Sequence, residues 1–151
     1  QNDPEDFRQY LSTAFSKSRL QEELANPHMN FYFAWSGDSL AGYCKLNTHQ
    51  AQTELKDPDG LEIERIYVAA SFQGKGVGAL MLREVEALAL QRGMRYLWLG
   101  VWQKNLGAIR FYERHGYEII GEHPYYIGSD RQTDWIMRRE LGTTGPQNLN
   151  T

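Results

Sequence analysis

Three glycines alternate in the stretch Gln73-Gly74-Lys75-Gly76-Val77-Gly78, just before a long apolar pattern of helical spacing. The first turn of a helix presents unpaired N–H groups and a partial positive charge, so it attracts anions. Glycine lets a ligand approach the backbone without an intervening side chain. Because a structural turn usually needs one such residue, the stretch predicts a site for a phosphate group.

Nucleotide-binding motifs fit this stretch only in part. A Walker loop is excluded, because no Gly-Lys-Ser/Thr follows at the required spacing. The letters Gly74-x-Gly76-x-x-Ala79 match a dinucleotide fingerprint, but the glycines start several residues after Val68. The acid expected about 20 residues further on is also missing. A nicotinamide-dependent oxidoreductase is therefore a weak alternative, which a spectral titration with NADH tests.

Two other groups of residues have side chains suited to proton transfer. Asn105, Ala108 and Tyr112 follow one another at helical spacing, and Tyr112 is either a proton donor or a core aromatic residue. Glu62 and Glu64 alternate along a predicted strand, on the face that we also expect to carry Ile66. Each carboxylate is either a general base or an ordinary surface charge.

Hydrophobic periodicity and turn residues predict a single α/β domain. Helices are predicted from about Asp3, over 17–25, from Gly78 to Gly93 and over 106–115. Strands are predicted over 31–35, 40–47, 61–68, 96–101, 117–121 and 135–141, with a loop over 48–60 and a patternless tail from Gly142.

Composition excludes several classes of protein. The 151 residues are 41% hydrophobic and 23% charged, as in a one-domain globular chain. A single cysteine, Cys44, rules out an internal disulfide, favours a reducing compartment and predicts cytoplasmic localisation. The four histidines lack metal-ligand spacing, and no apolar run reaches the ~20 residues of a membrane span. A net charge of −3 argues against nucleic-acid binding through bulk positive charge.

The two motifs together resemble the GNAT superfamily of N-acetyltransferases. Gln73-x-x-Gly76-x-Gly78 is similar to its pyrophosphate loop, and Asn105-x-x-Ala108-x-x-x-Tyr112 with Gly116-Tyr117 is similar to its second element. A third set of stretches resembles the PaiA-type polyamine acetyltransferases, namely 30–34, 42–47, 96–102 and 128–137. The resemblance covers about residues 3 to 141. It implies a mixed, splayed sheet with flanking helices in a domain of residues 1–141, followed by a tail of residues 142–151. The family's first strand is missing here or lies upstream.

The resemblance also implies a site. Acetyl-CoA is the expected co-substrate, and no metal is expected. Its pyrophosphate is held by Gln73, Gly74, Lys75, Gly76, Val77 and Gly78. Its pantetheine arm pairs with the backbone of Ile66, Tyr67 and Val68, with Asn105 and Ala108 on the other side. Tyr112 is expected to be the general acid for the departing sulfur, and Glu62 or Glu64 the base, through water.

The acceptor is expected to be a small amine that attacks directly. An acidic segment (Glu54, Asp57, Asp59, Glu62 and Glu64) favours a polyamine. A monomer or a homodimer is expected, because the Phe31–Trp35 strand lacks a neighbour if the first strand is absent. The alternatives are an acetyl-CoA sensor with little turnover, and a GNAT enzyme acting on a peptide, amino acid or antibiotic amine.

Overall fold

A computed structural model describes residues 17–142 of the chain. Within this range the helices are α1 (Lys17–Ala25), α2 (Val77–Gln91) and α3 (Leu106–Arg114). The strands are β1 (Met29–Ser36), β2 (Ser39–Asn47), β3 (Gly60–Val68), β4 (Tyr96–Trp102), β5 (Glu118–Ile127) and β6 (Asp130–Glu140). The predicted helix near Asp3 and all but the first residue of the predicted tail lie outside the described residues.

The strands form one mixed sheet in the order β1-β2-β3-β4-β6-β5. Among the strands of residues 17–142, only β3 and β4 run parallel, and their pairing covers just Gly60–Glu62 opposite Tyr96–Trp98. Beyond this point β3 follows β2, whereas β4 follows β6 as far as Trp102 opposite Asp134. The sheet therefore opens between β3 and β4, which confirms the splayed α/β fold.

The main core lies between the sheet and the α2–α3 pair. Helix α2 buries Met81, Leu82, Val85 and Ala89, which recur at the spacing of one helix face. These side chains join Leu97, Leu99, Ile109 and Tyr112 in one cluster. Burial of each large apolar side chain contributes about 1.5–3 kcal/mol, so this cluster fixes α2 and α3 on the same face of the sheet.

A smaller cluster on the opposite face consists of Tyr96, Trp98 and Ile136. Since successive strand residues point to opposite faces, β4 buries Leu97 on the α2 side and Trp98 on the other. The Trp98 indole donates to Gln52 Oε1 at 2.6 Å, which ties the loop after β2 to this second face. The central strand is thus covered on both sides, as its continuous apolar sequence predicts.

A β-bulge in β3 interrupts the alternation of side chains between the two faces that the sequence predicts. Lys45 pairs with Arg65, whereas its neighbour Leu46 pairs with Ile63, so Glu64 is an extra residue. The bulge moves Ile66 onto the core cluster beneath α2, away from the face that carries Glu62. The prediction that Ile66 shares a face with the two glutamates is therefore wrong, because simple alternation cannot anticipate a bulge.

The hairpin of β5 and β6 is longer than predicted. Its ten- and eleven-residue strands remain paired from Glu118–Arg138 to Ile127–Asp130. The extension could not be predicted from the sequence, because β5 has no regular alternation and contains Pro124. Proline is tolerated here because β5 is the edge strand of the sheet.

Candidate functional site

The glycine stretch forms an open backbone cradle at the start of α2. Gly74 and Gly76 have φ values of +76° and +85°, and an added Cβ would meet nothing within 4 Å at either position. No side chain caps the helix, so N–H groups of its first turn remain available. The Gln73 amide donates to the Val68 carbonyl at 3.0 Å and ties the loop to β3. This cradle fits a pyrophosphate group.

The other members of the stretch occupy different positions. Gly78 lies under α3, because an added Cβ would stand 3.3 Å from Phe111 Cζ. The Lys75 ammonium lies 5.9 Å from the Phe72 ring centre, and the residue is exposed at the loop surface. Val77 begins the helix and packs partly against the core. The structure therefore gives Gly78 a packing role in addition to any contact with a ligand.

The edge of β3 facing the opening carries backbone groups that pair with no neighbouring strand, although the Val68 carbonyl accepts from the Gln73 amide. The Ala69 N–H donates to the Ala41 carbonyl at 2.8 Å, and hydrogen-bonded pairs alternate along an antiparallel ladder. The register therefore directs the N–H and C=O groups of Tyr67 toward β2. Those of Ile66 and Val68 point away from β2, into the opening. An extended ligand chain can pair there as an added strand.

Helix α3 contributes the second motif. The Asn105 Oδ1 atom accepts from the Ala108 N–H at 3.2 Å and caps the helix, so this side chain has a local structural partner. Tyr112 lies in the main core cluster, against the rings of Phe111 and Tyr117. Burial raises the pKa of Tyr112 to about 12, so its hydroxyl stays protonated at neutral pH.

A cavity of about 240 Å³ spans the opening on the sheet face opposite α2 and α3. We call it the carboxylate cavity, because Glu54, Glu62, Glu64 and Asp134 all line it. Trp98 and Gly100 form the β4 side, while His123 enters from β5. Glu62 thus lines this cavity on one face of the sheet, whereas Tyr112 lies in the main core on the other face.

Glu62 is only 3% exposed and is held by neutral hydrogen-bond donors. Its Oε1 atom accepts from Asn47 Nδ2 at 3.0 Å and from the Thr53 N–H at 2.8 Å. Its Oε2 atom accepts from the Thr53 hydroxyl at 2.6 Å. Burial raises the pKa of Glu62 and outweighs these hydrogen bonds, which lower it. A carboxylate in this state takes up protons more readily than an exposed one.

Glu64 has a different environment. Its carboxylate lies 2.8 Å from the Lys45 ammonium and 3.3 Å from the Arg65 guanidinium. Lys45 is itself buried and also lies 3.0 Å from Glu23 of α1. Burial raises the pKa of Glu64, but the hydrogen bonds and positive charges together lower it below its ordinary value. This carboxylate belongs to a cluster that holds α1 on the sheet.

The acidic segment divides in space. Glu54, Glu62 and Glu64 line the carboxylate cavity, but Asp57 and Asp59 do not. Asp57 accepts from the Tyr96 hydroxyl at 2.9 Å and from the Asp59 N–H at 2.9 Å. The acidic segment that favours a polyamine therefore does not border the cavity as a whole, because Asp57 anchors the loop at the start of β3, beside Tyr96.

Four residues at or beside the cavity, namely Asn47, Thr53, His123 and Asp134, had no individual role assigned from the sequence. Thr53 and Asn47 bind Glu62, and Glu54 lies 2.8 Å from His123 Nδ1, across the opening. Asp134 lies within the 128–137 stretch, which contributed to the family resemblance without an assignment to individual residues. No sequence spacing connects these positions, because they come from β2, the following loop and the distant β5–β6 hairpin.

Cys44 is a core residue. It is 3% exposed, and burial raises the pKa of its thiol to about 11, so little thiolate forms at neutral pH. Over residues 17–142 no group of three or more His, Cys, Asp or Glu side chains is placed to hold a metal ion. In the same range, no helix has the length and apolar character needed to cross a membrane.

The chain is similar to known proteins in both sequence and structure. A model of the acetyltransferase (GNAT) family matches residues 2–117. An uncharacterised N-acetyltransferase of Lactobacillus delbrueckii subsp. lactis is 40% identical over 93% of this chain and 81% of its own length. The N-alpha-acetyltransferase RimI of Mycobacterium tuberculosis is 31% identical over 82% of this chain and 73% of its own. The PaiA N-acetyltransferase of Thermoplasma acidophilum, solved with coenzyme A, has a TM-score of 0.66 at 22% identity. That alignment covers 91% of this chain and 79% of the PaiA chain.

Proposed function

Because the chain belongs to the GNAT family and is an acetyl-CoA-dependent N-acetyltransferase, we propose that it acetylates a primary amine of a small polyamine. Glu62 carries the proposal. It is a buried carboxylate held only by neutral donors, and it faces a cavity at the opening where the β3 backbone is free to bind a donor arm.

We propose that the donor site binds acetyl-CoA mainly through exposed backbone groups. The Gly74–Gly76 cradle and the first turn of α2 bind the pyrophosphate, with Gln73 shaping the loop. Ile66 and Val68 pair with the pantetheine arm, whereas the backbone of Tyr67 is engaged with β2. The bound co-substrate supplies a thioester carbonyl, and the Ile66 N–H, directed into the opening, is available to donate to its oxygen.

Glu62 is the proposed general base, in preference to Glu64. An alkyl ammonium must lose a proton before its nitrogen attacks, and the raised pKa of Glu62 suits a proton acceptor near neutral pH. Glu64 is already neutralised by Lys45 and Arg65. Glu62 takes the proton directly or through water. The amine nitrogen then bonds to the carbonyl carbon, and the C–S bond breaks without an acyl-enzyme.

Tyr112 is the proposed general acid for the departing sulfur. Its pKa of about 12 lies above the ~8.5 of a thiol, so complete proton transfer costs free energy. The cost is larger than an unperturbed tyrosine would give, because burial has raised the pKa. The hydroxyl therefore acts mainly as a hydrogen-bond donor while negative charge grows on sulfur, and its proton is shared with the sulfur as the bond breaks.

The polyamine acceptor is favoured by the cavity's charge. Four carboxylates line it, of which Glu64 is neutralised by Lys45 and Arg65, and the other three favour a negative field that attracts a polycation. The similarity to the PaiA fold agrees with this choice, while the relationship to RimI makes a peptide amine the second candidate. The lone, buried Cys44 suits the cytoplasm, which we propose as the location.

Release of free thiol from acetyl-CoA tests the function. Initial rates are measured against spermidine, an amino-acid amide, an N-terminal alanine peptide and an antibiotic amine, with mass spectrometry of each product. We expect the highest kcat/KM for spermidine, with an advantage that shrinks as salt rises. Tight acetyl-CoA binding without turnover of any amine supports the sensor alternative instead. If the peptide is the preferred substrate, the acetyltransferase activity stands, but the assignment of a polyamine as the acceptor is wrong.

A further inference from the structure

Two carboxylates of the carboxylate cavity, Glu62 and Asp134, have no lysine or arginine partner among residues 17–142, and His123 is the basic side chain whose charge acts on Asp134. Glu64 pairs with the Lys45 ammonium, and Glu54 Oε2 lies 2.8 Å from the ring nitrogen Nδ1 of His123. No lysine or arginine of the described chain lies within salt-bridge distance of Glu62 or Asp134. A partly buried carboxylate is costly without a compensating charge. The cavity therefore offers two positions for cations that the described protein does not fill.

Asp134 lies on β6 opposite Trp102, on the side of the cavity formed by β4 and β6. Its Oδ2 atom lies 3.7 Å from the position that a Cβ at residue 100 would occupy. Gly100 is exposed to the cavity, so space is left beside this oxygen. Tyr125 donates a hydrogen bond to Asp134 and orients the carboxylate without neutralising it.

Glu62 and Asp134 lie on opposite sides of the opening between β3 and β4. Glu62 is on β3, and Asp134 is on β6, with Trp98 and Ile136 of the second apolar cluster also lining the cavity. This combination suits an acceptor with an apolar middle and a cation at each end. A volume of about 240 Å³ lies below the ~300–1,000 Å³ of sites for drug-sized ligands, so a short, linear chain fits best.

We propose that Asp134 determines acceptor specificity by binding the second ammonium group of a linear aliphatic diamine or polyamine, whose first amine reacts beside Glu62. This inference rests on the proposed function and adds a residue to it. His123 faces Asp134 across the β5–β6 ladder, but its ring is engaged with Glu54 at the cavity rim. Asp134 is therefore the carboxylate left to receive the distal cation.

The test compares two acceptors of the same length, 1,5-diaminopentane and pentylamine, which differ only in the distal ammonium. With saturating acetyl-CoA, the parent enzyme is expected to prefer the diamine. Asp134→Asn keeps the side-chain shape and the bond to Tyr125 but removes the charge. We expect kcat/KM for the diamine to fall at least about tenfold and that for pentylamine to stay within about twofold.

Two further variants control the result. Asp59→Asn removes the same charge from an exposed position outside the cavity, and both specificity constants should stay within about twofold of the parent. Gly100→Val fills the space beside Asp134 Oδ2 in a strand that accepts valine, and it should raise KM for the diamine more than for pentylamine.

The outcomes separate this inference from the proposed function. Equal losses for both acceptors in Asp134→Asn, or no preference for the diamine in the parent, overturn the role of Asp134 but retain the acetyltransferase. Turnover of neither amine by the parent overturns both. A selective loss for the diamine, absent in Asp59→Asn, supports the assignment. Thermal unfolding of each variant shows whether a loss comes from misfolding.

Discussion

The Thr53 hydroxyl donates to Glu62 Oε2 at 2.6 Å, while the Thr53 N–H donates to Oε1 of the same carboxylate at 2.8 Å. One residue of the loop after β2 therefore fixes both oxygens of the proposed base. Neutral donors orient the carboxylate without a salt bridge, and they leave it able to accept a proton. This arrangement makes Thr53 a positioning residue whose effect is measurable through the pH dependence of catalysis.

Replacement of Thr53 by valine is expected to move the acidic limb of the kcat/KM profile to higher pH. The hydroxyl bond stabilises ionised Glu62 and lowers its pKa, so its loss raises that pKa further. The rate should then fall more at about pH 6 than at about pH 8. Thr53→Ser keeps the hydroxyl and should retain the parent profile. A uniform fall at every pH in Thr53→Val would instead indicate a purely structural role.

Glu62→Gln is expected to separate activity from stability. Burial raises the folded-state pKa of Glu62, so the stability of the parent declines as pH rises from the unfolded value of about 4.3 through the folded one. The glutamine variant lacks this decline. Its Tm should therefore fall less than that of the parent between pH 4 and neutrality, while kcat/KM drops by roughly 10² to 10⁴. Retained activity would transfer the role of base to another group.

Removal of the Tyr112 hydroxyl tests the proposed acid. Tyr112→Phe keeps the ring contacts with Phe111 and Tyr117, so the free energy of unfolding should change little. We expect kcat to fall by roughly 10² to 10⁴ with acetyl-CoA affinity nearly unchanged. Phe111→Leu removes a neighbouring ring and serves as the packing control. A kcat of Tyr112→Phe within twofold of the parent would leave Tyr112 as a core aromatic residue.

A negative charge in the glycine cradle should weaken donor binding. Gly76→Asp places a carboxylate against the expected pyrophosphate, and charges about 4 Å apart repel by about 1 to 4 kcal/mol, depending on screening. We expect acetyl-CoA affinity, measured by calorimetry, to fall at least tenfold. Gly76→Asn is the matched control, because both residues tolerate the positive φ of +85° about equally but only Asp is charged. Equal affinities of the two variants would remove the pyrophosphate assignment.

The sequence by itself determined most of the elements and the glycine loop before α2. Helix α2 and strand β4 follow from local apolar periodicity, and the glycine cradle follows from residue types that are adjacent in the chain. These features depend on short-range sterics and hydrogen bonding. The same local patterns carried the family resemblance, since its motifs are also contiguous stretches.

Only the tertiary structure decided which carboxylates meet at the opening. The bulge at Glu64 turned Ile66 to the other face, and the loop after β2 brought Thr53 to Glu62 while placing Asp57 beside Tyr96. Asp134 joined them through the pairing of β6 with β4. Such proximities arise from sheet register and long-range packing, and a one-residue change of register reverses the face of every following side chain. For this reason, the sequence identified Glu62 and Glu64 as equal candidates, and their surroundings distinguished them.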